Sequence, residues 1–365
     1  MLAFLRFRVA ILAAFFLIIS PALLSAQQLD MDFFDAMQPR SIGPAGMSGR
    51  VTAIDAVHAD PDVIYIGTAS GGVWKSTSGG IDWTPIFDEE PAHSIGAVAI
   101  YQPNPDIIWV GAGEGNPRNS QSAGNGLYRS IDGGRTWAHL GLEESRNIHR
   151  IVLDPTNPDV ALIGVQGPAW GETEQRGVFR TTDGGKTLEK VLYVNPKTGI
   201  GDMVADPSNP DHILAAMWEF RRWPWFFYSG GEGSGLYETW DGGLNWTEIT
   251  HEDGLPEGEL GRMGLAFAHN ESNVVYALVE AKKNGLYRSD NGGDSWRLVN
   301  EENGVNGRPF YYADIYTDPE NENRLYKIET YIYASEDGGK SFDQWQPGYS
   351  ANGVHPDHHA FWVSA

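Results

Sequence analysis

The stretch SIDGGRTW, Ser130 to Trp137, decides the fold. It sets a carboxylate, Asp132, on a Gly-Gly turn and follows the turn with an indole. The same pattern recurs as STSGGIDW (76–83), TTDGGKTL (181–188), TWDGGLNW (239–246), SDNGGDSW (289–296) and SEDGGKSF (335–342). In chain order the six starts are separated by 54, 51, 58, 50 and 46 residues. A period near 50 marks an array of repeated supersecondary units.

Each unit has the same parts. An alternating apolar segment (IHRIVLD, LGRMGLAF) meets a Pro/Asn/Asp turn (DPTNPD, DPSNPD, QPNPD, DPENEN). A second apolar run follows (IIWVGAGE, VALIGVQG, VVYALVEA), then a third (GLYRS, GVFRT) that enters the Gly-Gly turn, then a fourth that starts at the indole (TWAHL, NWTEI, SWRLV). The runs are short, rich in β-branched and aromatic residues, and bounded by turn formers. Four antiparallel strands per repeat make one blade of an all-β propeller. Six blades are expected over residues 49–346.

The third box position reads Ser78, Asp132, Asp183, Asp241, Asn291 and Asp337. These side chains share an oxygen that accepts hydrogen bonds from turn N–H groups. They do not share acid–base chemistry, and six copies around a ring cannot converge on one substrate. The boxes are therefore read as structural.

Composition narrows the partners. Of 365 residues, 41% are hydrophobic and 12% aromatic, which supports a large core. A formal charge of −22 argues against nucleic acid and anionic lipid. The N-terminus reads as an export signal over 1–26: Arg6 and Arg8, then VAILAAFFLIIS, then PALLSAQQ with Ala26 before the cleavage point. A retained anchor over Val9–Ala26 is the alternative, and no later stretch is long enough to span a bilayer. There is no cysteine, so no disulfide contributes. The expected location is secreted or periplasmic, and no cofactor is expected.

The boxes follow the pattern S-x-D-x-G-x-x-W, and the chain resembles the Asp-box (BNR-repeat) β-propellers. These include sialidases, xyloglucan-degrading endoglucanases and the sortilin-type receptor domain. Through RSIGPAGMSGRV, GTASGGVWKS, GEGNPRNS, SGGEGSGLY, GRPFYYADIY and DHHAFW it resembles the bacterial sortilin-N-terminal-like, or glycosyl hydrolase BNR-repeat, family. The xyloglucanase resemblance implies a catalytic Asp on the first blade. Ala69 of YIGTASGG stands at that place, and the partner acid of that family lies in a second propeller. Glycoside hydrolysis needs two carboxylates flanking the bond, so no catalytic residue is assigned.

Candidate binding residues lie on three insertions between second and third strands. EFRRWPWFFYSGGEGS (219–234) carries Arg222, Trp223, Trp225 and Phe227, with Trp218 just before it. GEGNPRNSQSAGNG (113–126) carries Arg118 and Asn119, and GPAWGETEQRG (167–177) carries Trp170 and Arg176. Aromatic rings beside arginine suit a protein, peptide or glycan ligand; packing of the loops on their own blades is the competing reading. Arg50, Arg150 and Arg262 sit on inner strands. They line the central channel paired with acids such as Asp202, or else form a sialidase-like triad that holds a carboxylate. HPDHHAFW (355–362) has His355, His358 and His359 near Asp357, but as a strand it would point adjacent histidines to opposite faces, so no metal is assigned. The segment 355–365 is expected to open a seventh blade, with 37–44, inside the N-terminal segment 27–48, as the ring-closing outer strand. The chain then reads as the N-terminal piece of a longer propeller over 49–365, with further blades or domains beyond it. The leading function is a non-catalytic binding propeller; a glycoside hydrolase and a structural or assembly-factor propeller are the alternatives.

Overall fold

The computed structural model describes residues 50–345 and 356–364. Each repeat forms one antiparallel sheet whose strands follow chain order from the inside outwards. The first sheet holds β1 (Val51–Val57), β2 (Asp60–Thr68), β3 (Val73–Thr77) and β4 (Thr84–Pro85). The second holds β5 (Ile95–Ile100), β6 (Ile108–Ala112), β7 (Leu127–Ser130) and β8 (Ala138–His139). The third holds β9 (Ile148–Leu153), β10 (Ala161–Val165), β11 (Gly177–Thr181) and β12 (Glu189–Leu192).

The fourth sheet is larger. It holds β13 (Thr198–Asp206), β14 (Asn209–Arg222), β16 (Gly235–Thr239) and β17 (Thr247–Ile249), with β15 (Phe227–Ser229) paired to the far end of β14. The fifth holds β18 (Met263–Phe267), β19 (Val275–Val279), β20 (Gly285–Ser289) and β21 (Arg297–Asn300). The sixth holds β22 (Asp314–Asp318), β23 (Asn321–Ile328), β24 (Ile332–Ser335) and β25 (Asp343–Gln344). Among the described residues, helical structure amounts to short 3-10 turns such as Glu143–Ser145 and His251–Asp253, and no helix is long and apolar enough to cross a membrane.

The inner strands β1, β5, β9, β13, β18 and β22 pack side by side in that order. They can do so because some positions carry no side chain. A Cβ on Gly264 would lie 1.5 Å from the Ala313 carbonyl oxygen, and one on Gly96 would lie 2.1 Å from that of Gly113. The core is a series of clusters, each shared by adjacent blades. Tyr65, Val73 and Phe87 of the first blade meet Ile95, Ile108 and Tyr128 of the second. Leu214, Leu236 and Ile249 of the fourth meet Met263, Leu265 and Val275 of the fifth. Burial between sheets, repeated five times, is what holds the blades together.

The closing strand 37–44, like the export signal 1–26, lies outside the described residues. Of the segment 355–365, expected as the first strand of a seventh blade, the described part, 356–364, is not in a strand and pairs with no strand among the described residues. It is held by Asp357 N–H to the Thr330 carbonyl (3.0 Å) and His358 N–H to the Glu329 carbonyl (2.8 Å). It lies between the sixth and first blades, with Phe361 against Tyr316 and Tyr326 and Trp362 beside His58.

Candidate ligand-binding face and axial cavity

The Asp-box turns lie on one face. Asp132 Oδ1 accepts the N–H groups of Arg135 (3.0 Å) and Thr136 (2.9 Å), and Oδ2 accepts the Thr136 hydroxyl (2.7 Å). Asp183 and Asp241 do the same with Thr187 and Asn245. Ser78 accepts from Asp82 N–H, Asn291 from Ser295 N–H and Asp337 from Ser341 N–H. The Thr136 hydroxyl and N–H hold the Asp132 carboxyl down at about 2. Every box aspartate is thus spent on its own turn.

The opposite face is built from the three insertions. β14 runs past its pairing with β16 and turns back as β15, so that Phe220 pairs with Ser229, Arg221 with Tyr228 and Arg222 with Phe227. Strand alternation sends Trp218, Phe220 and Arg222 inwards, where they are 0%, 1% and 9% exposed. Trp218 stacks on Phe220 at 4.2 Å and donates its indole N–H to Ser229 Oγ. Phe227, half-buried, joins this stack and meets Phe310 at 5.0 Å. Arg222 Nε donates to the Pro117 carbonyl at 2.9 Å, and its Nη1 donates to Asn119 Oδ1. Asn116 Nδ2 donates to the Tyr311 carbonyl at 2.8 Å. Insertions from the second and fourth blades thus lock onto each other and onto the loop before β22.

These contacts correct part of the expected ligand face. Trp218, Arg176 and Arg222 are buried scaffold, not presented side chains. Arg176 donates to the carbonyls of Lys197 (2.8 Å), Pro168 (2.7 Å) and Gly171 (3.2 Å) and lies over the Phe220 ring. Insertion loops carry backbone carbonyls that find no strand partner, and buried arginines satisfy them. Asn119 is exposed but engaged by Arg222, and Arg118 is exposed.

The hairpin tip remains presented. Trp223, Trp225 and Phe226 are 39%, 76% and 48% exposed. Trp223 lies at 25° to Trp225 and 18° to Phe226, with centroids 6.2 and 6.1 Å away. Trp223 N–H closes the turn on the Phe226 carbonyl, and Arg221 sits under the Trp223 ring at 4.9 Å. Trp170 and Tyr228 are also exposed, and Ala169, next to Trp170, accepts the Arg222 N–H.

The three inner arginines divide. Arg150 lines an axial cavity and donates to Asp202 Oδ1 (2.6 Å) and Asp314 Oδ1 (2.8 Å). Arg262 is buried behind the cavity wall, and Arg50, partly exposed, stands outside this cavity. Arg50 grips both oxygens of the fully buried Glu114. Arg262, also buried, donates toward the Tyr311 carbonyl (3.2 Å) and contacts His149 Nε2 (3.0 Å). Each guanidinium is occupied by carboxylate, carbonyl or imidazole, so the arrangement offers no triad for a ligand carboxylate.

The cavity measures about 630 Å³ and touches the inner strands of all six blades. His58, His269 and Pro319 line its end on the Asp-box face. Asp55, on β1, accepts the N–H groups of Ala56 and Ile100, and burial pushes its carboxyl up to about 7 against those bonds. Sequence reasoning missed Asp55, Glu114 and His149. For Asp55 and His149 an acid or histidine inside an inner strand (IDAV, IHRI) was the available signal; Glu114 lies in the 113–126 insertion. Ala69 is buried, its N–H bonded to the Arg50 carbonyl, and brings no carboxylate to the first blade. Among the described residues no three His, Asp or Glu side chains group as metal ligands; His355 lies outside them.

No family model matches the chain. A xyloglucanase from Paenibacillus sp. is 26% identical over 276 residues, covering 68% of this chain and 25% of the relative. The chain thus spans about a quarter of that protein's length. The solved GH74 enzyme of Niastella koreensis superposes with a TM-score of 0.56 at 19% identity, over 81% of this chain and 45% of the enzyme. YCF48 from Cyanidioschyzon merolae superposes at 0.53 with 15% identity, over 82% of this chain and 86% of that one. At these identities the structural likeness establishes the β-propeller fold and nothing finer.

Proposed function

We propose that this chain is a secreted propeller that binds a glycan on its insertion face and supplies no catalytic carboxylate pair of its own. The observation that carries this reading is the hairpin tip, where Trp223, Trp225 and Phe226 stand exposed, with Trp223 near parallel to each of the other two rings and braced by Arg221. Rigid aromatic rings give contact area at low entropy cost, and flat faces match the faces of sugar rings. The non-catalytic part is supported by Ala69 and by Glu114, which is tied to Arg50 and the Ser122 N–H.

A second reading draws on the xyloglucanase likeness: the propeller holds the glycan for a hydrolase whose carboxylates come from other residues. One experiment addresses both. Affinity electrophoresis in gels containing xyloglucan, mixed-linkage glucan or galactomannan should retard the protein in at least one gel. Trp223→Ala/Trp225→Ala should abolish the retardation without lowering Tm. Reducing-end assays run in parallel should show no hydrolysis. Retardation unaffected by the double substitution would overturn the hairpin assignment, and hydrolysis by the isolated chain would overturn the non-catalytic reading.

A further inference from the structure

The fourth blade departs from its own repeat at two positions that touch each other. NPDH (209–212) ends in His212 where DPDV (60–63), NPDI (104–107) and NPDV (157–160) end in Val63, Ile107 and Val160. On the third strand of the blade, Glu238 of GLYET stands where VWKST, LYRS, GVFRT and GLYRS carry Lys75, Arg129, Arg180 and Arg288. Lys75, Arg129 and Arg180 each donate to a glycine carbonyl in the next blade's box, at Gly133, Gly184 and Gly242. At the boundary between the fourth and fifth blades a carboxylate takes the place of that cation.

The two departures form one cluster. His212 is fully buried, and its ring nitrogens face a carboxylate on each side. Nδ1 is 3.2 Å from Asp206 Oδ2, and Nε2 is 2.9 Å from Glu238 Oε1. Trp240 lies flat on the imidazole (3.7 Å, 2°), and Phe267 of the fifth blade meets it edge-on at 5.3 Å. A Cβ on Gly292 would lie 3.6 Å from His212 Cε1, and one on Gly293 would lie 3.2 Å from Glu238 Oε1. The box turn of the fifth blade therefore rests on the cluster.

Ionised carboxylates only accept hydrogen bonds, and a neutral imidazole donates from one nitrogen alone. With an acceptor at each nitrogen, both bonds form together only when the ring carries two protons. The other charged groups nearby are committed elsewhere. Asp241 bonds Asn245, Asp290 bonds Arg288 and Arg297, and Asp211 lies against Gly242 of its own blade's box. His269, two residues beyond Phe267, lines the axial cavity. Burial opposes the charge on His212, and the bonds to Glu238 and Asp206 outweigh it, which holds the imidazole above its usual 6.5. The Trp240 face adds to this preference, since an indole face attracts a cation.

We infer that His212 is a proton-operated lock between the fourth and fifth blades: its doubly protonated ring ties Asp206 to Glu238 beneath the fifth blade's box turn, and loss of a proton releases that turn. A histidine raised in the folded state contributes stability that is fully present below the unfolded value, 6.5, and is lost as pH rises through the folded one. The lock thus holds in acid and opens on the alkaline side. It does not depend on the glycan reading of the hairpin.

The test follows the whole chain from about pH 5 to pH 9 by fluorine NMR after labelling with 5-fluorotryptophan. The signals of Trp240 and of Trp296, which ends the fifth box, are assigned through Trp240→Phe and Trp296→Phe. Both should shift with one midpoint above 6.5. Glu238→Gln removes one carboxylate at nearly constant shape and should move that midpoint down. His212→Val/Glu238→Arg gives the fourth blade its neighbours' residues and should remove the step. Over the same range the wild type should lose about 2 °C or more of Tm beyond any loss in the double variant. Where the double variant does not fold, Glu238→Gln decides. A midpoint at or below 6.5, a midpoint unmoved by Glu238→Gln, a Trp296 signal without the step, or equal Tm losses in the wild type and the double variant would each overturn the inference.

Discussion

The two faces of the propeller are held together in opposite ways. On the Asp-box face each turn is closed by residues within four positions of one another, as Asp132 is with Thr136 and Asp241 with Asn245. On the insertion face the defining bonds join residues far apart in sequence: Arg222 to Pro117 across 105 positions, Arg262 to His149 across 113, Asn116 to Tyr311 across 195. The first face repeats and the second does not. Local chemistry copied six times makes a scaffold; unequal insertions that lock onto each other make one particular surface, and function resides in such surfaces.

The largest expected effects therefore belong to the insertion face, and they should split sharply within one hairpin. Trp218 is fully buried in the Phe220–Phe227–Phe310 stack. Trp218→Ala should cost about 3–5 kcal/mol in urea unfolding. Trp225, only seven residues on, is 76% exposed, and Trp225→Ala should change stability by less than about 0.5 kcal/mol. Equal losses at the two positions would show that the tip is packed in solution, and the division of this hairpin into scaffold and platform would fail.

Next comes the hub where the two faces meet. Arg150 of the third blade bonds Asp202 of the fourth and Asp314 of the sixth, and Asp202 Oδ2 also accepts the Leu265 N–H of the fifth at 2.8 Å. Asp202→Ala leaves a largely buried guanidinium and a buried N–H short of a partner. It should cost about 3 kcal/mol, since breaking one side of a buried pair is expensive. A loss below about 1 kcal/mol would mean that water enters the cavity and solvates Arg150 freely, which is measurable by the same unfolding experiment.

A smaller effect probes the close approach of inner strands. Gly264→Ala drives a methyl group toward the Ala313 carbonyl and should cost about 1–3 kcal/mol. The boundary between β18 and β22 would have to open to admit it. An unchanged Tm would show that these strands stand further apart in solution.

What the sequence made legible follows the same division. The six boxes announced the blades because their geometry is local, and a local pattern survives in a linear string. Trp223 and Trp225 were legible as candidates, but Trp218 and Arg222 were not separable from them. In a strand, neighbours alternate faces, and which face is inward depends on Phe310 and Pro117, far away in sequence. Arg50, Arg150 and Arg262 looked equivalent on their strands. Their partners are Glu114, the Asp202–Asp314 pair and the His149–Tyr311 group, which no repeat pattern specifies.

The smallest expected effect tests whether the box aspartates act as acceptors or as charges. Asn291 fills its box as an amide and still accepts the Ser295 N–H at 3.0 Å. Asp132→Asn should therefore lower Tm at pH 7 much less than Asp132→Ala does. The charge contributes through a narrow window. Turn hydrogen bonds, from Thr136, Thr187 and Asn245 first, hold Asp132, Asp183 and Asp241 down at about 2 against a usual 3.8. A carboxyl depressed in the folded state adds stability that is fully present above the unfolded value and is lost as pH falls toward the folded one. The wild type should thus lose part of its stability between about pH 4 and pH 2. The triple variant Asp132→Asn/Asp183→Asn/Asp241→Asn should lose less over the same interval, so that the two melting curves converge toward pH 2. A Tm difference that stays constant from pH 5 to pH 2 would mean that the aspartates serve only as hydrogen-bond acceptors, and the boxes would then be indifferent to whether their third residue carries charge.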